Sequence, residues 1–175
     1  IPAEWTCRFA SSIIGNMSES PVASANTIRV LIVDNDPALA RAMAESLERV
    51  GYPCDVATSG PEGVRHIEQD TYDVIITDLV MNDVDGMEVL GRAKQYLPDA
   101  EVIMVTGHAS VPKAVEAMQL GAFNFLEKPI TPDRLRAVAQ RAADAVRLRR
   151  DNFELNKRLD ERFGFEGIIY TSDLM

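Results

Sequence analysis

The residues whose types could do chemistry are Asp34, Asn35, Asp36, Asp78, Thr106 and Lys128, and all lie at the carboxyl ends of apolar runs. Clustered carboxylates repel one another and raise each other's pKa unless a cation enters. Hard oxygen donors with an open position suit Mg²⁺, which keeps several waters and bridges to phosphate oxygens. A carboxylate such as that of Asp78 can act as a nucleophile and become an acyl phosphate. Mg²⁺ and Lys128 can neutralise charge on a transferring phosphoryl group. The Thr106 hydroxyl can donate to a phosphate oxygen, and Gly107 beside it leaves room for entry. Taken singly, an Asp after a strand is usually a helix cap and a Lys-Pro pair a turn. As a set at strand ends they mark the place where open α/β sheets hold ligands.

The elements that must position them follow from hydrophobic periodicity. Ile28–Val33 reads as a strand. Asp36 can cap a helix that has Pro37 at its first position. Leu39, Met43, Leu47 and Val50 would form its apolar face, and Gly51 its stop. A short strand near Pro53–Ala57 precedes a helix from about Pro61 to Gln69. The central strand, Asp73 to Thr77, ends at Asp78, and a glycine-punctuated loop leads to a helix over Gly86–Tyr96 with Met87, Leu90 and Ala93 inward. Glu101–Val105 is a strand ended by Thr106. Ser110 is expected to cap a helix from Val111 to Leu120, and Asn124–Glu127 is the last strand. Thr131-Pro132-Asp133 opens the last helix. Strands as continuously apolar as Val74-Ile-Ile and Val102-Ile-Met-Val are buried on both faces, which predicts an α/β fold with a parallel sheet between helices.

Composition limits the class. The 175 residues are 46% hydrophobic and 26% charged, as in a globular protein. No apolar run approaches the roughly 18 residues that span a membrane. Cys7 and Cys54 have no metal or redox spacing, and free thiols suit the cytoplasm. Cys54 reads as a buried strand residue. Residues 27–130 hold 17 acidic against 8 basic side chains, whereas residues 131–175 hold 8 against 9. So acidic a domain repels nucleic-acid phosphates, and no direct nucleic-acid binding is expected of it. Residues 1–26 lack periodicity and are expected to be a disordered or incidental tail, with Met17 a candidate native start and no signal-peptide pattern.

Four motifs, in order, give the chain a family resemblance: Leu31-Ile-Val-Asp-Asn-Asp-Pro37, Asp78-Leu-Val-Met81 with Asp85-Gly86, Val105-Thr-Gly-His108, and Phe125-Leu-Glu-Lys-Pro129. Residues 27–131 resemble the receiver domain of two-component response regulators. The resemblance implies a flavodoxin-like fold with a five-stranded parallel sheet in the order 2-1-3-4-5, an order for which receivers are a standing example. It also implies Asp78 as the phosphoacceptor, served by a sensor histidine kinase. Mg²⁺ would be held by Asp34, Asn35, Asp78 and the Val80 backbone carbonyl, with Asp36 a further candidate. Thr106 and Phe125 would be the switch pair, and Lys128 would pair with the phosphoryl group. Such a domain is not an enzyme in the ordinary sense, since it accepts the group once onto itself.

Two positions depart from the family pattern. Asn35 stands where an acid is usual, so weaker Mg²⁺ binding is expected. Asn82 replaces the Pro usual after Met81 and alters only the loop. A rival class is a haloacid-dehalogenase-type phosphatase, which uses Asp34-x-Asp36, a strand-end Thr and a Lys. That class needs a further acid pair after a late strand, which does not follow Lys128, and it leaves Asp78 unexplained. A receiver-shaped module that signals without phosphate is the other alternative.

The last helix has no Gly or Pro from Asp133 to Phe163, so residues 132–162 read as a helical linker. In heptads, Val138, Ala145, Asn152 and Leu159 fall at a, and Arg141, Leu148, Leu155 and Arg162 at d. Leu148, Asn152, Leu155 and Leu159 are the expected dimer seam of a homodimer made through the last receiver helices and this linker. The competing reading is a solvated helix with Arg147, Arg149 and Arg150 as surface charges. Residues 163–175 resemble the opening of the AAA+ ATPase domain of NtrC-type, sigma-54-dependent activators, with Tyr170 where that family often has Gly. No G-x-x-x-x-G-K-[ST] motif is present, so ATP hydrolysis is not expected of these residues.

Overall fold

The apolar runs pair as β1 (Val30–Val33), β2 (Cys54–Ala57), β3 (Val74–Asp78), β4 (Glu101–Thr106) and β5 (Asn124–Glu127). The helices between and after them are α1 (Pro37–Glu48), α2 (Gly60–Gln69), α3 (Gly86–Tyr96), α4 (Val111–Gln119) and α5 (Pro132–Arg162). This computed structural model describes residues 27–82, 84–107 and 110–162, so the expectations for residues 1–26, His108 and residues 163–175 lie outside the described residues. All strands are parallel, in the order β2-β1-β3-β4-β5. β1 and β3 are adjacent in register, Val33 opposite Thr77, so Asp34 and Asp78 emerge side by side.

Alternation along each strand supplies both faces of the sheet. Val30, Ile32, Val74, Ile76, Ile103 and Val105 pack beneath α1 and α5. Leu31, Val33, Ile75, Val102 and Met104 pack beneath the helices of the opposite face, against Ile67, Leu90 and Ala117. Two helix faces differ from the periodicity expectation. On α1 the buried residues are Ala40, Met43, Ala44 and Leu47, while Val50 is exposed. Alanines on that face let the helix lie close to the sheet, and Val50 falls beyond the Arg49 C-cap, where Gly51 turns the chain at φ 89°. On α3, Val89 is buried and Met87 only half-buried. Ser110 sits at the N-cap of α4 without a side-chain cap bond. Cys54 is half-buried rather than buried, and burial pushes its thiol up to about 12.

α5 belongs to two environments. Leu135, Val138, Ala139, Ala142, Ala143 and Val146 lie in the core with α1. The expected boundary at residue 131 therefore falls before a helical stretch that the core itself buries. Val138, read as a heptad a position, packs inside its own domain, so only the expected seam residues from Leu148 onward are exposed. Leu148, Leu155 and Leu159 are 64%, 56% and 52% exposed, and Asn152 is exposed between them. Arg149 and Arg150, which resemble solvated charges in the sequence, reach back to the amino edge of the sheet. Arg149 donates to the Asp99 carbonyl at 2.9 Å and to the buried Glu101 carboxylate at 2.7 Å, and Arg150 donates to Asp73. Among the described residues no helix is long and apolar enough to cross a membrane.

Candidate functional site

The site is built at the carboxyl edge of β1, β3 and β5. Asp34 directly follows β1 and is fully buried, and Asp78 ends β3 with only 7% of its surface exposed. Lys128 follows β5 and carries its ammonium between them. Its Nζ donates to Asp34 Oδ2 at 2.7 Å and to Asp78 Oδ2 at 2.7 Å. Two buried carboxylates sharing one ammonium leave a local charge of −1, which is where a further cation is favoured. Burial alone would pull the Lys128 ammonium down, but the hydrogen bonds and charges of Asp34 and Asp78 outweigh it and hold the amine above the ordinary lysine range.

The remaining oxygen of each carboxylate is turned toward backbone. Asp34 Oδ1 accepts from Asp36 N at 2.9 Å, and Asp78 Oδ1 accepts from Val80 N at 3.2 Å. The second bond folds the chain after β3 so that Val80 lies beside the acid. Val80 itself is 49% exposed. Leu79 N donates to the Val105 carbonyl at 2.8 Å, tying the same loop to β4. Gly86 then starts α3 against the acid's own backbone: a Cβ there would stand 2.2 Å from the Asp78 carbonyl oxygen. The Asp85-Gly86 pair is therefore needed for packing, with Asp85 Oδ1 capping α3 through Glu88 N at 2.9 Å.

Of the residues singled out from sequence, Asp34, Asp78 and Lys128 meet directly. Thr106 is fully buried at the end of β4, and its carbonyl accepts from Lys128 N at 2.8 Å, so the lysine and the threonine share one backbone link. Phe125 lies in β5 opposite Met104, half-buried against the core of that face. Asn35 is exposed next to Asp34. Asp36 is drawn away from the cluster: its Oδ1 accepts from Ala38 N at 2.9 Å and Leu39 N at 3.2 Å as the α1 cap. Among the described residues no group of three or more His, Cys, Asp or Glu able to hold a metal ion occurs. The donors at this edge are thus two carboxylates together with neutral oxygens. Sequence reasoning missed the salt bridges at the opposite edge of the sheet. Their only signal was an acid at the start of two apolar strands, Asp73 and Glu101, and a pair of arginines in the last helix.

Comparison with known proteins agrees with this geometry. Residues 30–140 match the response regulator receiver domain. The Escherichia coli K12 transcriptional regulatory protein GlrR is 40% identical over 146 residues, which cover 83% of this chain and 31% of that protein. NtrX from Brucella abortus superposes with a TM-score of 0.71 at 29% identity, covering 76% of this chain and 30% of that one. The solution structure of the beryllofluoride-activated NtrC4 receiver domain dimer has a TM-score of 0.64 at 36% identity, covering 67% of this chain and 98% of that one. The chain thus spans about a third of the length of the curated relatives it matches. With the match extending over more than half of its residues, the chain belongs to the response regulator receiver domain family.

Proposed function

We propose that this chain is the phosphorylation switch of a two-component transcription regulator, with Asp78 as phosphoacceptor. The observation that carries this reading is the single ammonium of Lys128 held 2.7 Å from both Asp34 and Asp78. Family membership implies a histidine-kinase partner and dimerisation on activation. An Asp78 carboxylate oxygen attacks phosphorus, and the bond from phosphorus to the donor nitrogen of the kinase histidine breaks, its electron pair leaving with the nitrogen. Lys128 would follow the charge onto the new phosphoryl oxygens, and the Thr106 hydroxyl would donate to one of them. Phe125, two strand positions before Glu127, would repack as β5 responds.

Receivers as a family use Mg²⁺. The donor set here fits it: hard oxygens from Asp34 and Asp78, the Asn35 side-chain carbonyl and the Val80 backbone carbonyl leave positions for water and phosphate. Asp36 is committed to its cap and is left out of this set. Bound Mg²⁺ would supply neutralising charge to the transferring phosphoryl oxygens. With Asn35 neutral, Asp34 and Asp78 carry all the negative charge of the site.

The output assigned to the switch is a sigma-54-type activator. Support comes from the similarity to GlrR and NtrX and from the short resemblance of residues 163–175 to an AAA+ opening. The domain division proposed is a receiver from residue 27 that includes the buried half of α5, a free helical linker from about Leu148 to Arg162, and the start of an ATPase domain. Leu148, Asn152, Leu155 and Leu159 form the linker's dimer seam.

Intact mass after incubation with acetyl phosphate and Mg²⁺ tests the proposal. One phosphoryl adduct on the wild type, absent from Asp78→Asn, is expected. A folded wild type that takes no adduct, with Asn35→Asp equally inert, would favour a module that signals by protein contacts alone.

A further inference from the structure

Gly60 opens α2, an element that contributes no side chain to the acid cluster, yet it touches the loop that leaves Asp78. A Cβ built on Gly60 would lie 2.4 Å from the Val84 carbonyl oxygen and 2.6 Å from the Val84 Cβ. At such distances something must move, and the nearer of the two atoms is backbone.

The helix cannot be the part that yields. One turn later, a Cβ on Gly63 would lie 2.7 Å from both Cγ atoms of Val33, so α2 is already seated on β1 just before Asp34. Its first turn is also fixed by the chain before it. Glu62 Oε2 accepts from Thr58 N at 2.7 Å and from Thr58 Oγ1 at 3.1 Å, while Ser59 caps the helix through Glu62 N. The Thr58 bonds hold the Glu62 carboxyl below its ordinary range.

Beyond Val84 the loop is just as confined. Gly86 N donates to the Leu79 carbonyl at 3.0 Å, and Gly86 lies against the Asp78 and Leu79 backbone. Val84 thus stands between the seated start of α2 and the tied Gly86, in the loop that carries Val80 beside Asp78.

We propose that Gly60 is a positioning residue for the phosphorylation site: the bare start of α2 is the backstop that sets the β3–α3 loop, and through it the Val80 carbonyl that would help hold Mg²⁺. This rests on the assignment of Val80 and Asp78 to the metal site made above. Gly60 acts through Val84 and touches no reacting atom.

The test is a Mg²⁺ titration followed by the amide shifts of Asp78 and Val80 in the full chain. Wild type, Gly60→Ala, Val84→Gly and Gly91→Ala are compared. Gly91 is a helical glycine with nothing within 4 Å of a built Cβ, so it controls for the substitution itself. Gly60→Ala is expected to raise the Mg²⁺ midpoint about tenfold, the lower end of what changes behind a metal's direct ligands cost. At saturating Mg²⁺ its rate of phosphorylation by acetyl phosphate should stay within about twofold of wild type, the mark of a lost binding geometry and not of lost chemistry. Val84→Gly removes the backstop from the other side without adding a clash, so it should raise the midpoint too, and it decides the matter if Gly60→Ala does not fold. Gly91→Ala should titrate as wild type does. Unchanged midpoints in folded Gly60→Ala, or in Val84→Gly, would overturn the proposal. A wild type with no Mg²⁺-dependent shift would instead overturn the metal assignment beneath it.

Discussion

Lys128 is the residue whose loss the site should feel most. Removing one partner from a buried ion cluster leaves uncompensated charge, which costs more than the intact pair contributes. Asp34 is fully buried and Asp78 nearly so, while the Lys128 side chain is 20% exposed. Urea unfolding of Lys128→Ala in EDTA should therefore show a loss of about 2–4 kcal/mol. Mg²⁺ should recover part of it, and more than it adds to wild type, because the cation binds only the folded cluster. The lysine is held above its ordinary pKa, so its contribution is complete below about pH 10.4 and declines as pH rises through the folded value. An alkaline loss of stability in wild type that is missing in Lys128→Ala is the matching signature.

Asn35 is the other residue with a measurable consequence. It stands exposed beside Asp34 and offers no charge. Asn35→Asp adds a carboxylate to a site with two, and about tenfold tighter Mg²⁺ binding is expected from one added charge–charge contact at partial solvent exposure. The NMR midpoint measures it, and an unchanged value would place position 35 outside the coordination set. These residues were legible in the sequence because each polar type broke an apolar run at its end. Gly60 was not, since a glycine's contact depends on a loop a sheet strand away. Asp36 was legible only in part: the sequence offers its carboxylate both as a cap and as a metal donor, and the fold shows its Oδ1 in the cap.

At the scale of elements, α5 shows what periodicity can and cannot say. Its heptads read continuously from Val138, but Val138 and Val146 are buried in the monomer while Leu148, Leu155 and Leu159 stand out of it. A 3.5-residue repeat and an amphipathic core face look alike over two turns, so the handover between them is invisible in sequence. Arg149 and Arg150 mark that handover: among the described residues their bonds to Glu101, Asp99 and Asp73 are the last hydrogen bonds of the helix to the amino edge of the sheet. The seam proposed beyond them makes a definite prediction. Leu148→Asp with Leu155→Asp should convert the dimer to monomer in sedimentation while leaving the receiver folded, because neither side chain packs in its core. A dimer that survives both changes would move the interface elsewhere. The central strands were legible because parallel strands buried on both faces are apolar throughout, whereas their order 2-1-3-4-5 was implied by the family resemblance.

For the whole molecule, the two edges of one sheet have different tasks. The carboxyl edge gathers Asp34, Asp78, Thr106 and Lys128, and the amino edge holds the root of the linker through Asp73 and Glu101. In the proposed switch, a signal made at the first edge would reach the second through β4 and β5 and the helices packed on them. Moving such a two-state equilibrium from 1:99 to 99:1 takes about 5.5 kcal/mol of differential interaction. A few charge-assisted hydrogen bonds to a new phosphoryl group, at about 1.5–3 kcal/mol each, are of that size. All of this depends on where the phosphoryl group sits. An acyl phosphate is reduced by borohydride to an alcohol, so peptide mapping after phosphorylation and reduction reads the position directly. Homoserine in place of Asp78, and at no other aspartate, is the result predicted. Homoserine at Asp34 or Asp36, with Asp78 intact, would contradict the account at its centre.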